Sequence, residues 1–435
     1  MAFRKTMADL AAAAKAALNK SATPLRENIH HSRPKHHRDK KENILLQACK
    51  KGKDGPLTHV LTQDQGETNR AHMKAAVLFA AREGYKDVLE LCACAGGNLS
   101  VVDSDGNNIL HLASFGGHMP MVKYIVLQNI TDTNSSGVLE RTPVLLAALG
   151  GHIAVFDFLV SKGGEVSSVD SLNNSVLHLG SIGGHLGMVK HVLSQNIVDI
   201  NRKGMCGRTP LMIAAVGGHV DMFRFLVNKG SNVSSVDGYG DSILHLACRG
   251  GHVDMVGYIL SQNITDINTR GSLERTPLMV AACEGHIAVF DLLTSRSADV
   301  HLVDEQKSNI LHIACMCGKV KMVKHIISKN IVYINSKGPW MRTVLMLTAE
   351  KGNVELAKFI VTKGGDMSLV DSNENNLLHI ACSNGHVEMV KYILRESSVS
   401  LETKNWFNMT PQMIAQRKNK MKLIQYFKGR RNVRG

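Results

Sequence analysis

No stretch of this chain approaches the roughly eighteen consecutive apolar residues that a membrane-crossing helix needs. The alanine-rich segment near the N-terminus is interrupted by Lys15 and lacks the apolar core of a secretory signal. The nine cysteines show no paired framework, which in a chain without an export signal points to a reducing compartment. Several chemical signatures are missing as well. There is no P-loop, no Rossmann glycine fingerprint, no H-E-x-x-H and no G-x-S-x-G, so phosphate cradling, zinc hydrolysis and the serine elbow have no foothold. The sequence therefore gives no support to catalysis, and neither a cofactor nor a metal is expected.

Charge is absent from the middle of the chain as a net quantity. Residues 1–42 carry ten Lys/Arg against four Asp/Glu, and residues 416–435 carry eight Lys/Arg and no acid. Together these two ends account for the whole net charge of +14, so everything between them is neutral. The basic stretch His30–Lys41 reads first as a solvated leader. A nuclear-import or anionic-surface patch and, from Arg4, Lys5 and Lys15, a mitochondrial presequence are the alternatives.

What the chain has in abundance is itself. Aligned on one small residue, the series Ala48, Ala80, Ala113, Ala147, Gly180, Ala214, Ala247, Ala281, Ala314, Thr348, Ala381, Ala415 advances from Ala80 in alternating steps of 33 and 34. Twelve units result. In each, a crowded apolar run such as Ile243–Cys248 predicts a buried helix, and a Gly-Gly-His corner such as Gly250, Gly251, His252 ends it. A second stripe (Met255, Val256, Ile259, Leu260) predicts a second helix, followed by a polar loop.

Alternate units differ. Thr142-Pro143, Thr209-Pro210, Thr276-Pro277 and Thr410-Pro411 lack a following histidine, whereas His111, His178, His245, His312 and His379 lack Thr-Pro. Loop aspartates (Asp103, Asp170, Asp237, Asp304, Asp371) belong to the histidine set and loop asparagines (Asn134, Asn201, Asn268, Asn335) to the other. Duplication of a diverged two-repeat unit is the simplest account. The pattern resembles the ankyrin-repeat family, marked by T-P-L-H-x-A at a period near 33. That resemblance implies an all-α solenoid of helix-turn-helix units with projecting β-hairpin loops, over roughly residues 43–427. It leaves residues 1–42 and 428–435 as basic tails.

The period absorbs most candidate chemistry. Histidines at the two lattice positions are expected to tie repeats together. The grouping of His312, Cys315 and Cys317 with Cys283 and His286 matches no common zinc spacing. Two surfaces remain. In the resembled family the residue after the small pair lines the concave face, here Phe115, Leu149, Ile182 and Val216, then Arg249, Glu284, Met316, Glu350 and Ser383. The four apolar members read either as an exposed strip or as side chains folded back on their neighbours. Three residues before each Thr stand Leu139, Cys206, Leu273, Trp340 and Phe407, apolar where a loop tip normally is not. Either these anchor a partner or they pack tip against tip. Arg141, Arg208, Arg275 and Arg342, two positions on, read first as a solvated row and otherwise as a rim to this column.

The reading is a non-enzymatic adaptor or scaffold of the cytoplasm or nucleus. It binds a protein or peptide through Phe115, Leu149, Ile182, Val216, Leu273, Trp340 and Phe407. Association of the basic tails with nucleic acid or an anionic surface is the alternative, and a host-targeting effector would present the same features.

Overall fold

The computed structural model describes residues 67–432. The expected leader (1–42) and the degenerate first unit around Ala48 lie outside the described residues. From Glu67 onward the chain is an all-α solenoid of helix pairs, in two compact units divided between Asn232 and Val233.

The first unit holds the pairs Glu67–Glu83/Lys86–Cys94, Ile109–Gly116/Met119–Leu127, Pro143–Gly150/Ile153–Ser161, Val176–Ile182/Leu186–Ser194 and Pro210–Gly217/Val220–Asn228. The second holds Ile243–Gly250/Val253–Ser261, Pro277–Glu284/Ile287–Ser295, Ile310–Met316/Val320–Lys329, Val344–Lys351/Val354–Thr362, Leu377–Asn384/Val387–Glu396 and Pro411–Arg417/Met421–Asn432. The last helix runs through the boundary expected at 427, so residues 428–432 are helical.

Why the helices start and stop where they do is local chemistry. In one set of repeats Thr142, Thr209, Thr276, Thr343 and Thr410 cap the first helix, each hydroxyl accepting the N–H three residues on. Proline follows in all but the fourth, where its missing N–H is no loss. In the other set Asn108, Ser175, Ser242 and Asn376 cap, with the histidine three residues later closing a capping box. The first helices end on glycines such as Gly117, whose φ of 73° suits the left-handed corner. At Gly117 a side chain would also collide with the His152 ring of the next repeat.

Short helices of this kind are stable only through packing. The first helices are buried on nearly every side: Ile243, Leu244, His245, Leu246, Ala247 and Cys248 are all excluded from solvent. The second helices contribute one stripe, in which Phe156, Phe223 and Phe290 recur every 67 residues and are fully buried. Each such ring stabilises by about 2–3 kcal/mol. The loops are tight turns. Among the described residues the expected β-hairpins reduce to one isolated antiparallel bridge, Val102 to Asn108.

Candidate functional site

The histidines at the first lattice position are bonded at both nitrogens. His178 Nδ1 accepts from the Ser175 hydroxyl (2.8 Å) and backbone N–H (3.1 Å), while Nε2–H donates to the Arg208 carbonyl (3.1 Å). His111, His245, His312 and His379 direct Nε2 in the same way to the carbonyls of Arg141, Arg275, Arg342 and Met409. At His178 and His245, where Nδ1 accepts from a serine hydroxyl, the two bonds together need a neutral ring; at His111, His312 and His379 Nδ1 instead lies 2.7 Å from an asparagine Oδ1, an acceptor to which it donates. Burial lowers the pKa of all five, that of His178 to about 4. The second-position histidines also bridge repeats, Nε2–H donating from His118 to Arg82, His152 to Phe115, His286 to Arg249 and His386 to Glu350, each to a backbone carbonyl.

The cysteines behave as lattice residues with one exception. Burial raises the thiols of Cys248, Cys315 and Cys382, the last to about 12, far from a reactive thiolate. Cys283 and Cys317 instead form a disulfide between successive first helices, with their Cα atoms 5.4 Å apart. This corrects the expectation of unpaired cysteines. Neither spacing nor compartment signals betrayed the pair, because it joins neighbouring positions of two successive helices rather than a cysteine framework.

The arginine row is also corrected. Far from being solvated, Arg141, Arg275 and Arg342 each direct Nε–H to a loop carboxylate of the following repeat, at Asp170 (3.2 Å), Asp304 (3.3 Å) and Asp371 (3.3 Å). Those carboxylates are buried, and each accepts two further backbone N–H bonds from its own turn. The alternation seen in sequence is thus a pair of complementary interfaces. From a histidine repeat to a threonine repeat, the bonds are histidine to carbonyl and, for example, the Val138 N–H to Asn107 Oδ1 (3.0 Å). From threonine to histidine repeat they are arginine to aspartate and Asn134 Oδ1 accepting the Glu165 N–H (2.9 Å).

The concave-face column divides. Phe115 is 40% exposed, Ile182 and Val216 are half-buried, and Leu149, at 6%, is folded against its neighbours and adds nothing to an exposed strip. Further on, Arg249 pairs with Asp241 (2.7 Å) and Glu350 with Arg342 (2.7 Å). The helix register places Cys283, not Glu284, in this column, since Ala281 is the aligned small residue.

The tips carry the most unusual backbone. Leu139, Cys206, Leu273 and Trp340 sit at φ of 55°, 56°, 58° and 52°, each followed by a second residue in the left-handed region. For residues other than glycine this costs about 1–2 kcal/mol apiece. The conformation aims the tip carbonyl at the next loop: Leu139 O accepts from Ser171 N–H (2.8 Å), Leu273 O from Glu305 (3.0 Å) and Trp340 O from Ser372 (2.8 Å). The backbone is therefore committed to the stack and the side chain is not. Trp340 is 65% exposed, with Met341 and Leu273 also exposed beside their turns. Phe407 departs from the column. Its loop is built like the aspartate loops, with Asn405 Oδ1 accepting the N–H groups of Phe407 and Met409 and only Asn408 at positive φ. Even so, Trp406 and Phe407 are 71% and 61% exposed. The Trp406 N–H donates to Asn373 O, so the tips from Trp340 to Trp406 are chained by backbone bonds.

A family model described as "Ankyrin repeats (3 copies)" matches residues 77–170, 110–204, 177–271, 263–338 and 345–432. The chain belongs to the ankyrin-repeat family. Among ankyrin-repeat relatives, it is 28% identical to the Caenorhabditis elegans ankyrin repeat and KH domain-containing protein mask-1 over 66% of its own length and 10% of that protein's. It is 25% identical to the Neurospora crassa ankyrin repeat protein nuc-2, over 77% of this chain and 29% of that one. A third relative is an enzyme by name, the Lachancea kluyveri palmitoyltransferase AKR1, 31% identical over 31% of this chain and 19% of its own. The chain spans less than a third of each relative. Among the described residues no helix is long and apolar enough to cross a membrane, and no three His, Cys, Asp or Glu side chains stand together as metal ligands.

Proposed function

We propose that this ankyrin-repeat chain is a non-catalytic recognition module, an adaptor or scaffold that captures a protein or peptide. The observation that supports this most is the exposed apolar tip row of the second unit, Leu273, Trp340, Met341, Trp406 and Phe407. Its backbone is held by inter-repeat bonds while its side chains contribute little to the stack. Large aromatic side chains on a rigid support are the residues that carry binding energy at protein interfaces. Phe115 and, two and three repeats further on, the half-buried Ile182 and Val216 are a second and smaller set in the first unit.

Replacing Trp340 and Phe407 by Ser should abolish partner capture from the second unit, and Phe115→Glu with Ile182→Glu that from the first, with melting temperatures within about 2 °C of the parent. Capture that survives both pairs of substitutions contradicts this reading. The rival assignment, polyanion binding through the basic ends, rests on the absence of any acid after Glu402. Deleting residues 1–42 removes one of those ends and leaves the tip surfaces untouched.

A further inference from the structure

Between the last two repeats lies a cavity of about 360 Å³ in which an apolar wall meets positive charge that has no carboxylate partner among the described residues. Ile380, Phe407, Met409 and Ile414 supply the wall, and Arg417 and Lys418 stand beside it. Elsewhere in this unit an arginine on the same face is neutralised: Arg249 by Asp241, Arg342 by Glu350 and Asp371. At the last repeat that arrangement is inverted. Arg417 occupies the position that Glu350 holds two repeats earlier, and Met409 the position of Arg342. In place of a carboxylate, the Arg417 guanidinium meets the Met409 thioether at 3.5 Å. The sequence offers no acid after Glu402, while Lys404, Arg417, Lys418, Lys420, Lys422 and Lys428 accumulate there.

We propose that this groove binds an acidic segment of a partner protein, with an apolar side chain against Phe407 and Ile380 and a neighbouring carboxylate on Arg417 and Lys418. The proposal rests on the recognition-module reading and names a site and a ligand chemistry for it. A cavity of this volume accommodates one large side chain with part of its backbone. An arginine with no carboxylate partner among the described residues is suited to take one bidentately from a partner. Nucleic acid fits less well, since the remaining cation of the lining, Arg342, is already paired with Glu350 and Asp371, the other polar lining residues are uncharged amides, a serine and the carbonyl-bonded His379, and the wall is largely aliphatic where a strand binder would stack aromatics.

The test is a random dodecapeptide phage library panned against the full chain. The best peptides are then measured by fluorescence anisotropy against the parent, Arg417→Glu and Phe407→Ala, with a thymidine oligonucleotide as competitor. Support consists of enriched peptides with Asp or Glu within two residues of Leu, Ile, Met or Phe. Their affinity should fall about tenfold or more on R417E and about fivefold on F407A, and weaken with added salt. Both variants alter exposed residues and should melt with the parent. Enrichment without acids, binding indifferent to Arg417, or displacement by the oligonucleotide at lower concentration than by peptide overturns the assignment. If the paired substitutions at Trp340 and Phe407 and at Phe115 and Ile182 still abolish partner capture, the groove assignment falls alone; if capture survives both pairs, the recognition-module reading falls as well.

Discussion

His178 needs an uncharged ring, because the same ring accepts at Nδ1 and donates from Nε2 to the next repeat. Burial lowers its pKa from 6.5 to about 4 in the folded chain. Between those two values the unfolded chain takes up a proton and the folded chain does not. Its stabilising contribution is therefore complete above pH 6.5 and declines as the pH falls toward 4, by roughly 3 kcal/mol for this residue. The other four buried histidines shift in the same direction. Melting temperature should thus fall steeply from pH 7 to pH 4.5, and His178→Gln should flatten that slope while lowering stability at pH 7. Parallel slopes for the variant and the parent would assign the acid sensitivity elsewhere. The lattice role of these histidines was legible from their period alone. That of the arginines was not, because Arg141 and Asp170 are 29 residues apart and belong to different halves of the alternation.

Within one element pair the alternation reaches single atoms. Asn107, Asn174 and Asp241 each accept the N–H of the second tip-loop residue of the next repeat, at Val138, Met205 and Ser272. At the fourth such interface the acceptor is replaced by Ser308, whose buried hydroxyl has no partner, and the donor by Pro339, which has no N–H. Acceptor and donor are lost together. Pro339→Ala alone should destabilise by about 1–2 kcal/mol by burying an unanswered N–H. Adding Ser308→Asn should recover most of that, which a double-mutant cycle read by chemical denaturation measures. Additive effects would show that the two positions are not coupled. The helices and their glycine corners could be read from sequence because each has a residue type that causes it. The left-handed tips could not, since Leu273 and Trp340 are residues that normally avoid positive φ. Only their odd apolarity pointed to them. Leu149 shows the converse, where an apolar residue in the expected surface column turns inward.

Within each unit the described helix pairs use two alternating interfaces, built from the lattice histidines, from Arg141, Arg275 and Arg342, and from the loop aspartates and amides they meet. The proposed recognition surfaces are exposed side chains: Phe115 in the first unit, and the aromatic tips and cationic groove in the second. In the proposed function the tip side chains face a protein partner. Photo-cross-linking in cells tests it most directly, with benzoylphenylalanine placed at Trp340 and, as a control, at Tyr333, which is equally exposed but lies off the tip. A discrete cross-linked protein from position 340, absent from position 333, is the predicted result. The same products from both positions, or none from position 340, would contradict it.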